Sequence, residues 1–187
     1  MDPNNSSIRN TLEQNTTNMI FYEDSFAKTS FFTKEIPNWE IPIFYFDFDL
    51  QYTGFVSAGV TSPLKNLTLL YPEISSLRED LKSVIEKISK VRSLVIIDSL
   101  NGFFNLLEGK KDIGRLVNSF LILLVSVAKH TKSTVIIGVL SKLNADNKRI
   151  LYNTGRHVIE NDHFTKIQLT RSENNILVKT LNSDNTD

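Results

Sequence analysis

The chain has no cysteine, and its charges are balanced. Without cysteine, disulfide bonds, thiolate metal sites and a cysteine nucleophile are all excluded. Lys+Arg and Asp+Glu each number 21, so the formal net charge is zero. A neutral chain has no global attraction for nucleic acid or for an acidic membrane, although local basic patches can still bind them.

Glycine is scarce, and the first part of the chain has none. There are seven glycines, and the first of them is Gly54. A phosphate-binding loop depends on glycines, because they let consecutive backbone N–H groups converge on the phosphates without Cβ clashes. The sequence before Gly54 therefore excludes a normal phosphate cradle.

Long apolar runs are also missing. The most apolar segment, residues 116–128, is interrupted by Asn118, Ser119 and Ser126 and is shorter than the roughly 18 residues that a membrane span needs. The first five residues show no basic region followed by an apolar stretch, which argues against a secretory signal. We expect a cytoplasmic protein that makes no membrane contact.

Composition and patterning predict one α/β domain over residues 19–181, between a disordered arm at 1–18 and a disordered tail at 182–187. Apolar runs without alternation are typical of strands in a parallel sheet that is covered on both faces; they occupy 19–22, 43–46, 67–71, 94–97 and 134–140. Helices are predicted at 74–91 and at 113–130, the second largely buried because it is apolar on most of its circumference. Short runs at 157–160, 164–170 and 176–181 predict a C-terminal antiparallel meander. The expected fold is a mainly parallel central sheet flanked by helices.

The clearest chemical signal is the run Leu94–Leu100, in which a buried strand ends in a carboxylate. Asp98 is thereby placed at the carboxyl edge of the sheet, where α/β proteins bind ligands. The run resembles the second nucleotide-binding motif of RecA-like ATPases, in the "IIDSL" form of RadA and KaiC relatives. The resemblance implies that Asp98 holds magnesium, whereas the alternative is that it only caps the following turn.

Further segments resemble the same family, and they follow in the family's order. The segment from Tyr22 to Thr29 lies in the register of the phosphate-loop motif, with Lys28 and Thr29 on its Lys-Ser/Thr pair. Asp49 stands where RadA-like proteins carry a catalytic glutamate. Residues 176–179 resemble the strand that carries a Lys-x-Arg pair in KaiC-like proteins. The resemblance implies a RecA-like fold and membership of the phosphate-loop NTPase superfamily.

The departures from the family pattern fall on the phosphate-binding residues. Tyr22 and Ala27 replace the two glycines, and Glu23 and Asp24 bring negative charge to the place of the phosphates. Asp49 is one methylene shorter than glutamate, which misplaces a base that would activate water. Leu181 replaces the arginine of the Lys-x-Arg pair.

These departures lead us to interpret Lys28, Thr29, Asp98 and Ser99 as a vestigial nucleotide site. ATP and magnesium are expected to bind weakly or not at all, and Asp49 at the catalytic position is not assigned a catalytic role. A residual ATPase of the RadA or KaiC type is the alternative.

Two loops, 101–112 and 141–156, could bind nucleic acid, because the corresponding loops of RecA-like recombinases face DNA. Their basic residues are Lys110, Lys111, Lys142, Lys148, Arg149 and Arg156. Aromatic residues beside such charges can stack on bases. The other interpretation is that Phe103 and Phe104 pack on the sheet edge and the lysines are only solvated.

Degenerate RecA-like subunits, such as Elongator accessory subunits and recombinase paralogues, persist as assembly surfaces. The resemblance implies a structural or regulatory subunit that forms a homo-oligomer or binds a related RecA-like subunit. The predicted contact residues are the aromatic ones after the degenerate loop and after Asp98: Phe31, Phe32, Trp39, Phe103 and Phe104.

Overall fold

The computed structural model describes residues 3–143, 145, 149–151, 164–172 and 175–181, with only the backbone at 3–7, 143 and 149–151. The helices are α1 Pro3–Gln14, α2 Ser25–Glu35, α3 Gln51–Ser57, α4 Leu77–Ile88, α5 Leu100–Leu106 and α6 Ile113–His130. The strands are β1 Thr17–Tyr22, β2 Ile43–Phe46, β3 Leu67–Leu70, β4 Leu94–Ile97, β5 Thr134–Leu143, β6 Arg149–Leu151, β7 Thr165–Ser172 and β8 Asn175–Leu181. A short 3₁₀ turn, Ile36–Asn38, follows α2.

The strands form one sheet in the order β3-β2-β4-β5-β1-β7-β8, and β6 pairs with β5. All pairings from β3 to β7 along this order are parallel. Only β8, beside β7, and β6, beside β5, run antiparallel. The mainly parallel sheet is therefore confirmed. The predicted meander is reduced to the hairpin β7–β8, since β7 is parallel to β1, and residues 157–160 lie outside the described part of the chain.

Helices cover both faces of the sheet, and each face has its own core. On one face α4, α5 and α6 pack on alternate strand residues, with Val84, Phe103 and Leu124 among the buried side chains. On the other face α1, α2 and α3 pack through residues such as Leu12 and Phe32. Covering on both sides explains why β1, β2 and β4 are buried along their whole length. Apart from Thr17 and Asn18 at the start of β1, these strands are unbroken apolar runs.

The beginning of the chain differs from the disordered arm that the sequence predicts. Residues 3–14 form α1, and Leu12 is fully buried in the second core. Arg9 donates a hydrogen bond to the carbonyl of Asn38 at 2.8 Å, and its guanidinium lies 5.3 Å from the centre of the Trp39 ring. The polar composition of the segment gave no sign of this docking, which rests on a few contacts: Leu12 and Ile8 pack on the second core, Arg9 bonds to Asn38, and Glu13 pairs with Arg92 at 3.1 Å. The predicted tail, 182–187, lies outside the described residues.

Helix α6 has its predicted bounds, but it is not largely buried. Val117, Leu124 and Ala128 form its buried stripe, while Leu116 and Leu123 remain half exposed. The reason is that the sheet covers only one side of the helix. By length and composition alone, α6 is also the one described helix that could cross a membrane.

Candidate nucleotide-type site

The carboxyl ends of β1, β2 and β4 bring three predicted residues together. The Nζ atom of Lys28, on α2, lies 2.6 Å from Oδ2 of Asp49 and 2.9 Å from Oδ2 of Asp98. Asp49 follows β2 and Asp98 follows β4, and these two strands pair in parallel. Lys28, Asp49 and Asp98 therefore lie together at the carboxyl edge of the sheet. We call these three residues the Lys28 cluster.

The connection from β1 to α2 is short. Glu23 and Asp24 separate the end of β1 from the first helical residue, Ser25. A carboxylate oxygen of Asp24 accepts the backbone N–H of Phe26 at 2.8 Å and so caps the helix. A free helix N-terminus attracts anions, but here a negative side chain already occupies it.

Lys28 is fully buried. The ring centre of Tyr22 lies 5.6 Å from its ammonium group. Burial on its own would lower the pKa of Lys28, but the charges of Asp98 and Asp49 outweigh burial and raise the pKa above its ordinary value. Lys28 is therefore a permanent buried cation.

The two carboxylates of the cluster differ in protonation. Burial raises the pKa of Asp98 well above its ordinary range, and the opposing charge of Lys28 does not cancel this rise. For Asp49 burial also favours the neutral form, but the nearby Lys28 outweighs it and lowers the pKa. The cluster thus contains one carboxylate that ionises readily and one that resists ionisation.

A third carboxylate, Asp47, lies beside the cluster. Its Oδ2 accepts the backbone N–H of Thr53 at 2.7 Å, and its Oδ1 has no hydrogen-bond partner among the described residues. One oxygen each from Asp47, Asp49 and Asp98 lies within 4.8 Å of the others, a set of ligands that suits a hard cation. In the structure, the ammonium of Lys28 bonds to two of these three groups.

The two hydroxyl residues that the sequence predicts for a nucleotide site, Thr29 and Ser99, are bonded within the protein. The Thr29 hydroxyl lies 2.8 Å from Oε1 of Gln51 and 3.0 Å from the carbonyl of Ser25. The Ser99 hydroxyl accepts the backbone N–H of Gly102 at 2.9 Å and caps α5. Both oxygens of Asp98 are also engaged, since Oδ1 accepts the backbone N–H of Phe48 at 2.9 Å.

Sequence reasoning missed the contacts that Tyr22 and Gly138 make in the site. Tyr22 is buried, which raises the pKa of its phenol to about 12, and its hydroxyl donates to the carbonyl of Asp98 at 3.4 Å. Gly138, on β5, lies so close to Asp98 that a Cβ there would be 2.1 Å from the Asp98 carbonyl oxygen. A glycine inside an otherwise β-branched strand was the available signal for such a close approach.

Exposed apolar side chains and one arginine lie at the start of α2 and next to Asp49 in the sequence. Arg171, on β7, pairs with Asp24 at 3.3 Å, and its guanidinium lies 5.0 Å from the ring centre of Phe26. Phe26 in turn lies 6.0 Å from the ring of Phe55, and it is half exposed. Leu50, at the start of α3, is also exposed and has a left-handed backbone with φ of 58°.

The predicted aromatic contact surface is wrong. Four of its residues, Phe31, Phe32, Trp39 and Phe103, are buried, and Phe104 is partly buried. They stack inside the two cores, as in the pair Phe48–Phe103 at 4.8 Å between ring centres. Aromatic side chains offer the largest area for burial, so the core takes them first.

The structure describes the side chains of three of the six predicted basic loop residues. Lys110 and Lys111 are exposed in the turn between α5 and α6, and Lys142 is exposed on β5. Lys148 and Arg156 lie outside the described residues, and only the backbone of Arg149 is described.

Taken together, the strand order and the lysine of α2 that faces the aspartate after β4 define a RecA-like α/β fold. Among solved structures, the chain is similar to one described as the crystal structure of the RadB recombinase, with a TM-score of 0.54 and 13% sequence identity. The match covers 84% of this chain and 77% of that chain, and at this identity it shows the fold alone. The sequence matches no protein-family profile and no curated protein.

Proposed function

We propose that this chain is a non-catalytic RecA-like subunit, a structural or regulatory part of an assembly that neither requires nor turns over ATP. The observation that carries this proposal is the position of Lys28. In a working phosphate loop the lysine reaches the phosphates of the nucleotide. Here its ammonium is bound inside the protein by Asp49 and Asp98.

Releasing Lys28 toward a nucleotide would be costly. Removing one partner from a buried ion pair leaves the other charge uncompensated, which typically costs about 3–5 kcal/mol. The backbone N–H groups at the start of α2 would add little binding to a phosphate, because Asp24 already caps the helix. The negative charge of Asp24 also repels a triphosphate.

A resident magnesium ion is not part of the proposal. Oδ1 and Oδ2 of Asp98 accept bonds from Phe48 and Lys28, and the Thr29 hydroxyl lies within hydrogen-bond distance of Gln51. The ammonium of Lys28 supplies the positive charge that a cation would bring. We therefore propose that the cluster is a structural substitute for the metal and phosphate.

A subunit that does not turn over ATP acts through the surfaces by which it binds other proteins. The exposed apolar residues Phe26, on α2, and Leu50, next to Asp49 in the sequence, support a contact with another protein. We propose a cytoplasmic homo-oligomer or a complex with a related RecA-like subunit. The likeness to Elongator accessory subunits and recombinase paralogues stays a prediction.

Two alternatives have one observation each in their favour. The proximity of Lys28, Asp49 and Asp98 favours a residual ATPase. The exposure of Lys110, Lys111 and Lys142 favours nucleic-acid binding. Fluorescence anisotropy with single-stranded and duplex oligonucleotides, DNA and RNA, at two salt concentrations tests the second alternative, because phosphate contacts weaken steeply with salt.

Calorimetric titration with Mg-ATP tests the proposal itself. We expect no binding at micromolar concentrations and no phosphate release above the buffer background. The Asp98→Asn variant is the control for contaminating ATPases, since it alters only this site. Low-micromolar affinity for ATP, or a phosphate release that Asp98→Asn abolishes, would show that the site is catalytic.

A further inference from the structure

The outward face of α6 carries a row of exposed residues at alternating spacings of four and three. The row begins with the residue just before the helix and is called the α6 stripe: Asp112, Leu116, Ser119, Leu123, Ser126 and His130. This spacing places all six along one side of the helix. The buried residues Val117, Leu124 and Ala128 lie on the opposite side, so the stripe points away from the sheet.

The stripe exposes more apolar surface than a helix in water normally does. Leu116 is 52% exposed and Leu123 is 50% exposed. Ile122, which flanks the stripe near its middle, is 70% exposed. Scattered exposed leucines need no explanation, but an aligned group on one helix face marks a contact surface.

The stripe is complementary to itself when it is read in the opposite direction. An antiparallel copy of α6, related by a two-fold axis at the level of residue 121, brings Leu116 opposite Ser126 of the copy and Leu123 opposite Ser119. Each leucine then faces a small side chain, which leaves room for the knob-into-hole packing of two helices.

At the ends of the stripe, the same axis brings Asp112 opposite His130 of the copy, with Lys129 next to that histidine. Asp112 already pairs with Arg115 of its own helix at 3.3 Å, and both groups are largely exposed, so its attraction to Lys129 of the copy is a small addition. Antiparallel packing also places the N-terminus of each helix beside the C-terminus of the other, which is the favourable arrangement of helix dipoles. No element of the described chain covers the stripe.

We propose that the α6 stripe binds a second copy of this chain in an antiparallel, two-fold symmetric dimer. An 18-residue helix is about 27 Å long, so the contact is at the small end of specific interfaces, below about 1,200 Å² in total. We expect a reversible dimer with a dissociation constant on the order of micromolar. The surface is distinct from the Lys28 cluster, so this proposal stands or falls independently of the nucleotide question.

Sedimentation at several concentrations, from about 1 to about 100 μM, tests the dimer and its register. Ser119→Leu should weaken the dimer because two leucines then face each other, and Leu123→Ser should weaken it because the leucine is lost; we expect at least a tenfold effect for each. The double variant Ser119→Leu/Leu123→Ser places a leucine opposite a serine again and should restore dimerisation. Leu177→Ser, which changes a leucine of similar exposure on β8, is the matched control and should have no effect.

Disulfide trapping provides a second readout, because the natural chain contains no cysteine. In a mixture of the Ser119→Cys and Leu123→Cys variants, the mixed disulfide should form faster than either disulfide between identical chains. A wild-type chain that stays monomeric at 100 μM would overturn the proposal, as would a double variant as weak as Leu123→Ser alone. Binding of a monomeric wild type to phosphatidylserine vesicles, lost in Leu123→Ser, would assign the stripe to a membrane surface instead.

Discussion

Replacing Lys28 by methionine removes the buried positive charge and keeps much of the volume of the side chain. Oδ2 of Asp49 and Oδ2 of Asp98 then lose their 2.6 Å and 2.9 Å partners. Both carboxylates stay in an environment that disfavours their ionised forms. We expect Lys28→Met to fold but to be much less stable than the wild type.

The expected loss of stability is about 3–5 kcal/mol, which is typical for one partner removed from a buried ion pair. For a chain of this size, each kcal/mol lowers the melting temperature by about 2–4 °C, so the shift is about 6–20 °C. This is a large part of the roughly 5–15 kcal/mol that holds a typical domain together. The double variant Lys28→Met/Asp98→Asn also removes one of the two carboxylates that Lys28 pairs with, while Asp49 stays unpaired, and it should recover part of the loss.

The loss should grow with pH. A carboxyl whose folded-state pKa is raised, as that of Asp98 is, contributes stability below its unfolded pKa and loses it as pH rises through the folded value. Without Lys28 this folded pKa rises further, and the pKa of Asp49, now held low by Lys28, rises too. Lys28→Met should therefore be closer to the wild type at pH 5 than at pH 8.

Thermal and urea unfolding followed by circular dichroism measures these differences. Lys82→Met is the control, since Lys82 pairs with Glu86 on the exposed surface of α4 at 4.0 Å and such pairs contribute about 0–1 kcal/mol. A loss below about 1 kcal/mol for Lys28→Met, with no recovery in the double variant, would mean that Lys28 is not held in the cluster. The reasoning from a filled nucleotide site would then be wrong.

Three further predictions concern the ligand, the sheet and the N-terminal helix. We expect no shift in the melting temperature with 5 mM Mg-ATP. A ligand at about 100 times its dissociation constant stabilises a fold by about 2.7 kcal/mol, which would raise the melting temperature of this chain by roughly 5–11 °C. The absence of a shift would therefore exclude a dissociation constant of about 50 μM or lower. Gly138→Ala should destabilise the chain strongly, because its Cβ would lie 2.1 Å from the Asp98 carbonyl oxygen, whereas Gly54→Ala on α3 meets nothing within 4 Å and should be neutral or stabilising; urea unfolding compares the two. Leu12→Ala should cost about 2–5 kcal/mol in the same assay, a result that a loosely attached arm would not give.

The bounds of an element were predictable where its own sequence forms a continuous apolar pattern. Strands β2 and β4 and helix α6 have their predicted bounds, because an unbroken apolar run or a long apolar helix has few other places in an α/β layer. Helix α1 was missed because its composition is polar. It is held by Leu12 and by the contact of Arg9 with Trp39, and these depend on residues about thirty positions away.

The sequence predicted that Lys28 and Asp98 belong to the candidate site, but it did not predict that Lys28 is buried. The motif register was sufficient to place Lys28 and Asp98 at the same edge of the sheet, because the carboxyl ends of parallel strands lie at one edge. The burial of Lys28 depends on where α2 begins, and helix boundaries are the least certain part of a sequence pattern. The prediction of which residues are exposed was also wrong: the aromatic residues are buried in the cores, whereas apolar residues of α6 are exposed.

The aromatic ring at the end of β1 also bears on whether nucleotide binding could be regained. Tyr22 occupies the position of the first glycine in the phosphate-loop register, and it is almost completely buried against Lys28. Its replacement by glycine would empty a space the size of a phenol ring, at a cost comparable to the roughly 3–5 kcal/mol of other large-to-small aromatic changes. Ala27→Gly, the second step, would weaken the first turn of α2 by about 1 kcal/mol. Each single substitution toward a phosphate-loop motif thus lowers stability before any affinity for phosphate is gained.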